Sequence, residues 1–210
     1  MTIRNPRRLA RPVGGLLALA VAASLACGDR HQAPADSSNP AMAPAAAMRD
    51  SVPATPTALS DAQIAKIVMV ANANDSAGGA LAATKATAAD VKAFGRTMVR
   101  DHGMLNKSVT DLATKLSLTA ENSDASTRME QDGKDGLSRL QTLSGAEFDR
   151  AYIDQEVAGH EKVLNELNET LIPAAQNAEL KTLLNQAKGA VSGHLERAKA
   201  LQKTHSTTSE

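Results

Sequence analysis

The chain has 210 residues, 23 of them basic and 23 acidic, and Cys27 is its only cysteine. An internal disulfide is therefore excluded, and the length suits one domain with accessory segments. There is no tryptophan, one tyrosine and two phenylalanines. Without a basic excess or aromatic stacking platforms, nucleic acid is not expected as a partner.

The first 26 residues have the pattern of a secretory signal peptide. Four arginines precede an apolar run over residues 13–23, which is too short to span a bilayer. Two cleavage interpretations stay open. Ser24 and Ala26 suit ordinary signal peptidase, whereas Cys27-Gly28 resembles a bacterial lipobox and would make Cys27 a lipid anchor, although the usual lipobox has Leu where this chain has Ser24. Both predict a periplasmic or outer-membrane-anchored protein, and removing the leader leaves 19 basic and 23 acidic residues, a net charge of −4.

Residues 27–57 are rich in Pro, Ala and Ser and lack apolar periodicity, which predicts a disordered tether. From residue 58 to residue 204 the apolar residues recur at spacings of three and four, as in amphipathic helices. Residues 205–210, including His205, are expected to form a frayed tail.

Capping signals divide this region into four long helices. The first begins at a capping box, Ser60 with Gln63, and the second follows a cap at Thr87. A long polar connection over residues 119–144 carries a short helix. The third helix begins at a capping box at Ser144 and ends at Pro173, and Asn177 caps the fourth. The four long helices and the long second connection predict an all-α fold. We expect a ferritin-like antiparallel four-helix bundle with a long crossover between its second and third helices.

Each long helix carries one polar side chain in the middle of its apolar stripe. These residues are Asp75, His102, His160 and His194, each 14 to 16 residues from the start of its helix. Since a helix rises about 1.5 Å per residue, all four are predicted to lie at the same level whichever way the helices run.

Three interpretations of this cluster remain open. The three imidazoles, completed by Asp75 or Glu156, would suit a single zinc, manganese, iron or copper ion, and Glu156 or Asp101 could instead accept a hydrogen bond that fixes an imidazole. Alternatively, the residues form a hydrogen-bonded polar layer without a metal. A third interpretation is a pH sensor, because imidazole titrates near neutral pH.

Two stretches carry a resemblance to a known family. The first stretch is Lys92-Ala93-Phe94-Gly95-Arg96-Thr97-Met98-Val99-Arg100-Asp101-His102. The second is Leu143-Ser144-Gly145-Ala146-Glu147-Phe148-Asp149-Arg150-Ala151-Tyr152, and it is followed by His160 and His194. Together they resemble the bacterial envelope family called domain of unknown function 4142. The resemblance implies a ferritin-like fold and no assigned activity, and that family usually has Glu about where this chain has Asp75. The positions three before the histidines are Val99, Val157 and Val191, so the Glu-x-x-His motif of di-iron bundles is missing.

The sequence therefore favours an exported, noncatalytic helical-bundle protein of the cell envelope whose protein partners are unknown. No Ser or Cys nucleophile stands on the inward stripes, and no Gly-rich phosphate loop is present. The alternative is a metal-binding or metal-dependent redox protein that uses the mid-bundle histidines and carboxylates.

Overall fold

The computed structural model describes residues 58–206, a helical bundle without β-strands in that range. Its helices are α1 Asp61–Lys85, α2 Ala89–Lys115, α3 Asp124–Thr142, α4 Gly145–Glu166, α5 Ile172–Ala174 and α6 Ala178–Ser206, with a π-helical turn, Leu167–Leu171, between α4 and α5. The all-α prediction is confirmed. The predicted signal peptide, Cys27 and the tether lie outside the described residues. Within those residues, no helix is long and apolar enough to cross a membrane.

Two of the predicted helix caps are confirmed. At the start of α1, Gln63 N donates to Ser60 Oγ over 3.2 Å, and Ser60 N donates to Gln63 Oε1 over 3.1 Å. At the start of α6, Asn177 Oδ1 accepts hydrogen bonds from the backbone N–H groups of Glu179 and Leu180. Both caps satisfy backbone donors that have no partner inside the helix.

At the other two predicted caps, the expected side-chain capping bonds are absent. Thr87 precedes the N-cap of α2, Ala88, and its hydroxyl donates instead to Asp149 of α4 over 2.5 Å. Asp149 also accepts from the backbone N–H groups of Thr87 and Ala88, so a neighbouring helix supplies the missing cap. Ser144 is the N-cap of α4 but makes no side-chain capping bond. The next residue, Gly145, has a φ of +59°, so the first turn lacks the geometry that a capping box requires.

The helix in the long connection is 19 residues long, not short. It begins at a capping box of two serines, in which Ser126 N donates to Ser123 Oγ and Ser123 N donates to Ser126 Oγ. Its polar composition hides it from a search for apolar stripes. Its contacts with α1 include the hydrogen bond from Asn74 Nδ2 to Met129 O, 2.9 Å, and its Leu140 is buried in the apolar core.

Both later helices extend past their predicted ends. The chain stays helical through Pro173 to Ala174, one residue past the predicted end, and the π-helical turn Leu167–Leu171 leads into this last segment without a break. α6 continues to Ser206, and His205 Nε2 lies 3.2 Å from Asp90 Oδ2 of α2. That hydrogen bond connects the last turn of α6 to the first turn of α2.

The helices that carry the polar residues run antiparallel to their neighbours. Gly79, late in α1, faces Gly95, early in α2. In the same way, Asp154 in the first half of α4 accepts a hydrogen bond from Gln202 near the end of α6. Two apolar clusters fill the core, one around Phe94 on one side of the histidine level and one around Ile64 on the other. The polar layer is thus enclosed at both ends by packed side chains.

α1 and α2 approach each other most closely where two glycines face each other. A Cβ atom added to Gly79 would lie 2.6 Å from the carbonyl oxygen of Gly95, and one added to Gly95 would lie 2.7 Å from the carbonyl oxygen of Gly79. Both distances are too short for real Cβ contacts, and the atoms that they would meet belong to the backbone. Gly79 and Gly95 therefore allow the backbones of α1 and α2 to approach this closely.

Gly79→Ala is expected to lower the free energy of unfolding by about 1–3 kcal/mol, because the two backbones must separate to admit the methyl group. Gly103→Ala, on an α2 position where an added Cβ meets nothing within 4 Å, is the matched control. It should raise the free energy of unfolding by up to about 1 kcal/mol through helix propensity. Urea denaturation measures both. Equal or greater stability in Gly79→Ala would contradict the close packing of α1 on α2.

Candidate metal centre

Three helices bring three histidines together in the core. The ring centroids of His102 (α2), His160 (α4) and His194 (α6) lie 5.0 to 5.6 Å apart. The residues are 1, 2 and 8 % exposed, respectively. One nitrogen from each ring lies within 4.8 Å of the other two. The structure therefore places the three histidines at one level, as their positions along the helices predicted.

Each imidazole has one nitrogen bonded to a fixed acceptor. His102 Nδ1 donates to Asn72 Oδ1 over 2.9 Å, and His160 Nδ1 donates to the backbone carbonyl of Glu156 over 2.9 Å. His194 Nε2 donates to Asp101 Oδ2 over 3.0 Å. An imidazole that donates from one nitrogen and is neutral holds a lone pair on the other.

The opposite nitrogens have no hydrogen-bond partner. These atoms are His102 Nε2, His160 Nε2 and His194 Nδ1, and all three are buried. Nearly all buried polar atoms in proteins are paired, so three unpaired acceptors on adjoining rings are unusual. The same pattern, with the second nitrogen held by a carboxylate, carbonyl or amide, is how metal-binding histidines are usually oriented.

Burial keeps two of these rings neutral. Together with the neighbouring His160 and His194, it lowers the pKa of His102 to about 3. It also lowers the pKa of His160 to about 4, against the opposing hydrogen bond to the Glu156 carbonyl. Neither ring is then expected to titrate between pH 5 and 8, which removes support from the pH-sensor interpretation. Neutral imidazole is also the form that binds metals.

The predicted carboxylates lie beside this cluster, near the ring nitrogens that carry protons. Asp75 Oδ2 is 3.5 Å from His102 Nδ1, and Glu156 Oε2 is 3.5 Å from His160 Nδ1. Neither carboxylate is therefore next to the unpartnered Nε2 atom of its histidine. Asp75, Glu156 and His160 form a second group whose ligand atoms lie within 4.8 Å of one another.

Burial dominates the electrostatics of this acidic pair. It raises the pKa of Asp75 to about 7. It also raises the pKa of Glu156 well above its ordinary value; the charge on Asp75 acts in the same direction, and the Tyr152 hydroxyl opposes it. Two carboxylates that share a buried site resist simultaneous ionisation, and a proton or a cation relieves the repulsion.

Asp101 differs from this pair because it is held ionised. Arg100 donates to its carboxylate over 2.7 Å, and these bonds hold the pKa of Asp101 below its usual range, with His194 acting in the same direction. The sequence had placed Asp101 beside His102 as a possible acceptor. The structure shows that it accepts from His194 on a different helix.

A family model described as a domain of unknown function, DUF4142, matches residues 44–201. The chain belongs to the DUF4142 family. This confirms the resemblance carried by the two sequence stretches. No curated protein and no solved structure matches the chain.

The sequence did not single out two residues that complete the centre in this DUF4142 member. Asn72 is buried and holds His102, yet it falls between the predicted inward positions of α1. Its one signal is a second polar residue one turn before Asp75. Tyr152, fully buried beside Glu156, reads as an ordinary aromatic core position, and burial raises its pKa.

The hydrogen bonds predict the tautomer of each ring in the metal-free protein. At pH 7, His102 and His160 should be neutral with the proton on Nδ1, and His194 should carry its proton on Nε2. Long-range ¹H–¹⁵N NMR of the imidazole nitrogens, with His205 as the reference outside the cluster, distinguishes these forms. A proton on Nε2 of His102 or His160 would contradict the assigned orientation.

Proposed function

We propose that this DUF4142 member is an exported metal-binding protein of the bacterial cell envelope, holding one first-row transition-metal ion between His102, His160 and His194. The single observation behind the proposal is the set of three unpartnered, buried ring nitrogens. A purely structural polar layer would leave these acceptors without donors in a dry core, which is costly. A metal ion satisfies all three.

The spacing of the rings suits such an ion after a small movement. Metal–nitrogen bonds of about 2.0–2.1 Å in a tetrahedral site put ligand nitrogens about 3.4 Å apart. One nitrogen of each ring lies within 4.8 Å of the other two, and closing a separation of that size to about 3.4 Å takes a shift of roughly 1.4 Å, which is within reach of small ring and helix adjustments.

The donor set favours zinc or copper. Imidazole nitrogen suits zinc, copper, iron and nickel, whereas manganese prefers oxygen ligands, and Cu²⁺ binds most tightly among the divalent ions. Three protein ligands leave a fourth position for water or a small exogenous ligand. Because Asp75 and Glu156 lie near the protonated Nδ1 atoms, the proposed ligand set contains histidines alone.

The proposal is a binding function rather than ferritin-type iron oxidation. Val99, Val157 and Val191 occupy the positions three before the histidines, where di-iron bundles carry glutamate. Noncatalytic metal handling fits this donor set. Metal-dependent redox chemistry through the open fourth position is the alternative, and it requires a bound copper or iron ion.

The fold part of the proposal is a ferritin-like four-helix bundle made of α1, α2, α4 and α6, with α3 in the crossover. It is supported by the short link between α1 and α2, the 29-residue connection between the end of α2 and the start of α4, and the antiparallel contacts described above. Export rests on residues 1–26 and their signal-peptide pattern. Attachment to the membrane rests on Cys27.

Metal titration tests the histidine site directly. The purified, untagged protein should bind about one Cu²⁺ or Zn²⁺ per chain, and His102→Ala should weaken binding by more than about 100-fold, beyond the range of an outer-shell change. His205→Ala removes a histidine outside the cluster and should leave affinity unchanged. Isothermal calorimetry and elemental analysis measure both. Unchanged affinity and stoichiometry in His102→Ala would overturn the proposal.

Asp101→Ala tests the acceptor that orients His194. Losing this hydrogen bond frees the tautomer and the ring orientation, so metal affinity should fall by about 10–100-fold with stoichiometry unchanged. Asp111→Ala, which removes an exposed carboxylate paired with Lys107 on the same helix, is the matched control. Equal affinities in the two variants would mean that Asp101 has no part in the site.

Cys27→Ala tests the lipid anchor in a bacterial host. The variant should move from the membrane fraction to the soluble periplasmic fraction, because its acylation site is gone. Ser24→Leu, which restores the usual lipobox leucine, should remain in the membrane fraction. If wild type and Cys27→Ala partition identically, the anchor is excluded and ordinary signal-peptidase cleavage is favoured.

A further inference from the structure

A cavity between α1, α3 and α4 lies beside the histidine cluster. Its volume is about 290 Å³, and its wall includes Asn74, Asp75, Gly133, Gln155, Glu156 and Lys162. α3 closes one side, and Gly133 and Gly136 bring that helix close to the side chains of Asn74 and Gln155. The cavity therefore exists because the crossover helix packs on the bundle, and the histidine site does not depend on it.

Two residues of the cavity wall carry buried oxygen atoms without hydrogen-bond donors. Glu156 is 4 % exposed, and its Oε2 atom accepts no hydrogen bond. The amide oxygen of the neighbouring Gln155 is also buried and unpartnered. The Asp75 side chain is 24 % exposed and offers an oxygen to the same group as Glu156. An unpartnered, buried carboxylate oxygen with a second carboxylate beside it calls for a positive partner.

We propose that this end of the cavity is a second cation site, taking a partly hydrated, oxygen-preferring divalent ion with Asp75 and Glu156 as its protein ligands. The site is distinct from the histidine site and does not rest on the proposed function. The two sites lie on opposite sides of the imidazole rings, because the N–H edges of His102 and His160 face the carboxylates and the lone pairs of these rings face away from them.

The ligand chemistry selects a hard ion. Mg²⁺ and Mn²⁺ are typically bound by one or two carboxylates and keep several waters. At about 30 Å³ per water, the cavity has room for an ion with a partial hydration shell. His160 is not a ligand of this ion, because its nearby Nδ1 carries a proton that is donated to the Glu156 carbonyl.

The positive side chains on the cavity wall do not occupy this site. Lys162 pairs with Asp132 over 3.1 Å, and both of these side chains are well exposed. Arg139 also lines the cavity. No Lys or Arg within the described residues forms a salt bridge to Asp75 or Glu156, and the nitrogens beside these carboxylates, at 3.5 Å, belong to the neutral imidazoles of His102 and His160.

Mn²⁺ is the probe, because free hexaaqua Mn²⁺ has a sharp electron paramagnetic resonance signal that is lost on binding. The purified protein, freed of metals with a chelator, should remove about one equivalent of free Mn²⁺ per chain at sub-millimolar concentration. The double variant Asp75→Asn/Glu156→Gln should weaken this binding by at least about tenfold, since both charges are gone while the shapes remain. Asp132→Asn, which neutralises an exposed carboxylate of the same cavity, should bind as the wild type does.

His194→Ala separates the two sites. It should leave Mn²⁺ binding within about threefold of wild type, even where it abolishes Cu²⁺ or Zn²⁺ binding. Loss of Mn²⁺ binding in His194→Ala would place the ion among the histidines and overturn this proposal, without bearing on the proposed function.

Three other results would also overturn it: no Mn²⁺ uptake by the wild type up to about 1 mM, wild-type affinity in the double variant, or loss of binding in Asp132→Asn. Circular dichroism checks the fold of every variant. If the double variant does not fold, Mn²⁺ binding by the single variant Glu156→Gln is measured instead, because this substitution removes the more buried carboxylate.

Discussion

The centre of this structure depends on how each of three buried imidazoles uses its N–H group. Asn72, the Glu156 carbonyl and Asp101 each hold one ring by its protonated nitrogen, and this fixes the tautomer as well as the ring plane. The remaining nitrogens are then left as acceptors in the core. Without those three hydrogen bonds the rings could rotate and pair with one another, and the arrangement would be an ordinary polar layer.

Helix packing is what brings these groups to one level. The glycine contact between α1 and α2 lets the two backbones approach closely, which places Asn72 opposite His102. Asp149 joins the start of α2 to α4, and the pair between His205 and Asp90 joins the end of α6 to α2. Apolar clusters above and below the layer exclude water from it. The low pKa values of His102 and His160 follow chiefly from that enclosure.

Much of this could be read from the sequence, because helix periodicity and mid-helix polar residues are local signals. The start of α1 and the cap at Asn177 followed from their capping residues, and the meeting of the three histidines followed from their spacing along the helices. The partners of the rings did not, since Asp101 reaches His194 across 93 positions of sequence and Asn72 lies off the predicted stripe. The length of α3 was underestimated because its sequence is mainly polar, and the cap at Thr87 failed because Asp149, 62 positions away, competes for the same hydroxyl. Periodicity carries no information about such tertiary hydrogen bonds.

X-ray absorption spectroscopy of the protein loaded with one equivalent of Cu²⁺ or Zn²⁺ tests the central claim most directly, because imidazole rings give a recognisable outer-shell scattering pattern. The account predicts three imidazole nitrogens at about 2.0–2.1 Å from the metal, with one further light-atom ligand. A first shell made of oxygen atoms, or one with fewer than two imidazoles, would contradict it and leave the three histidines as a structural feature of the core.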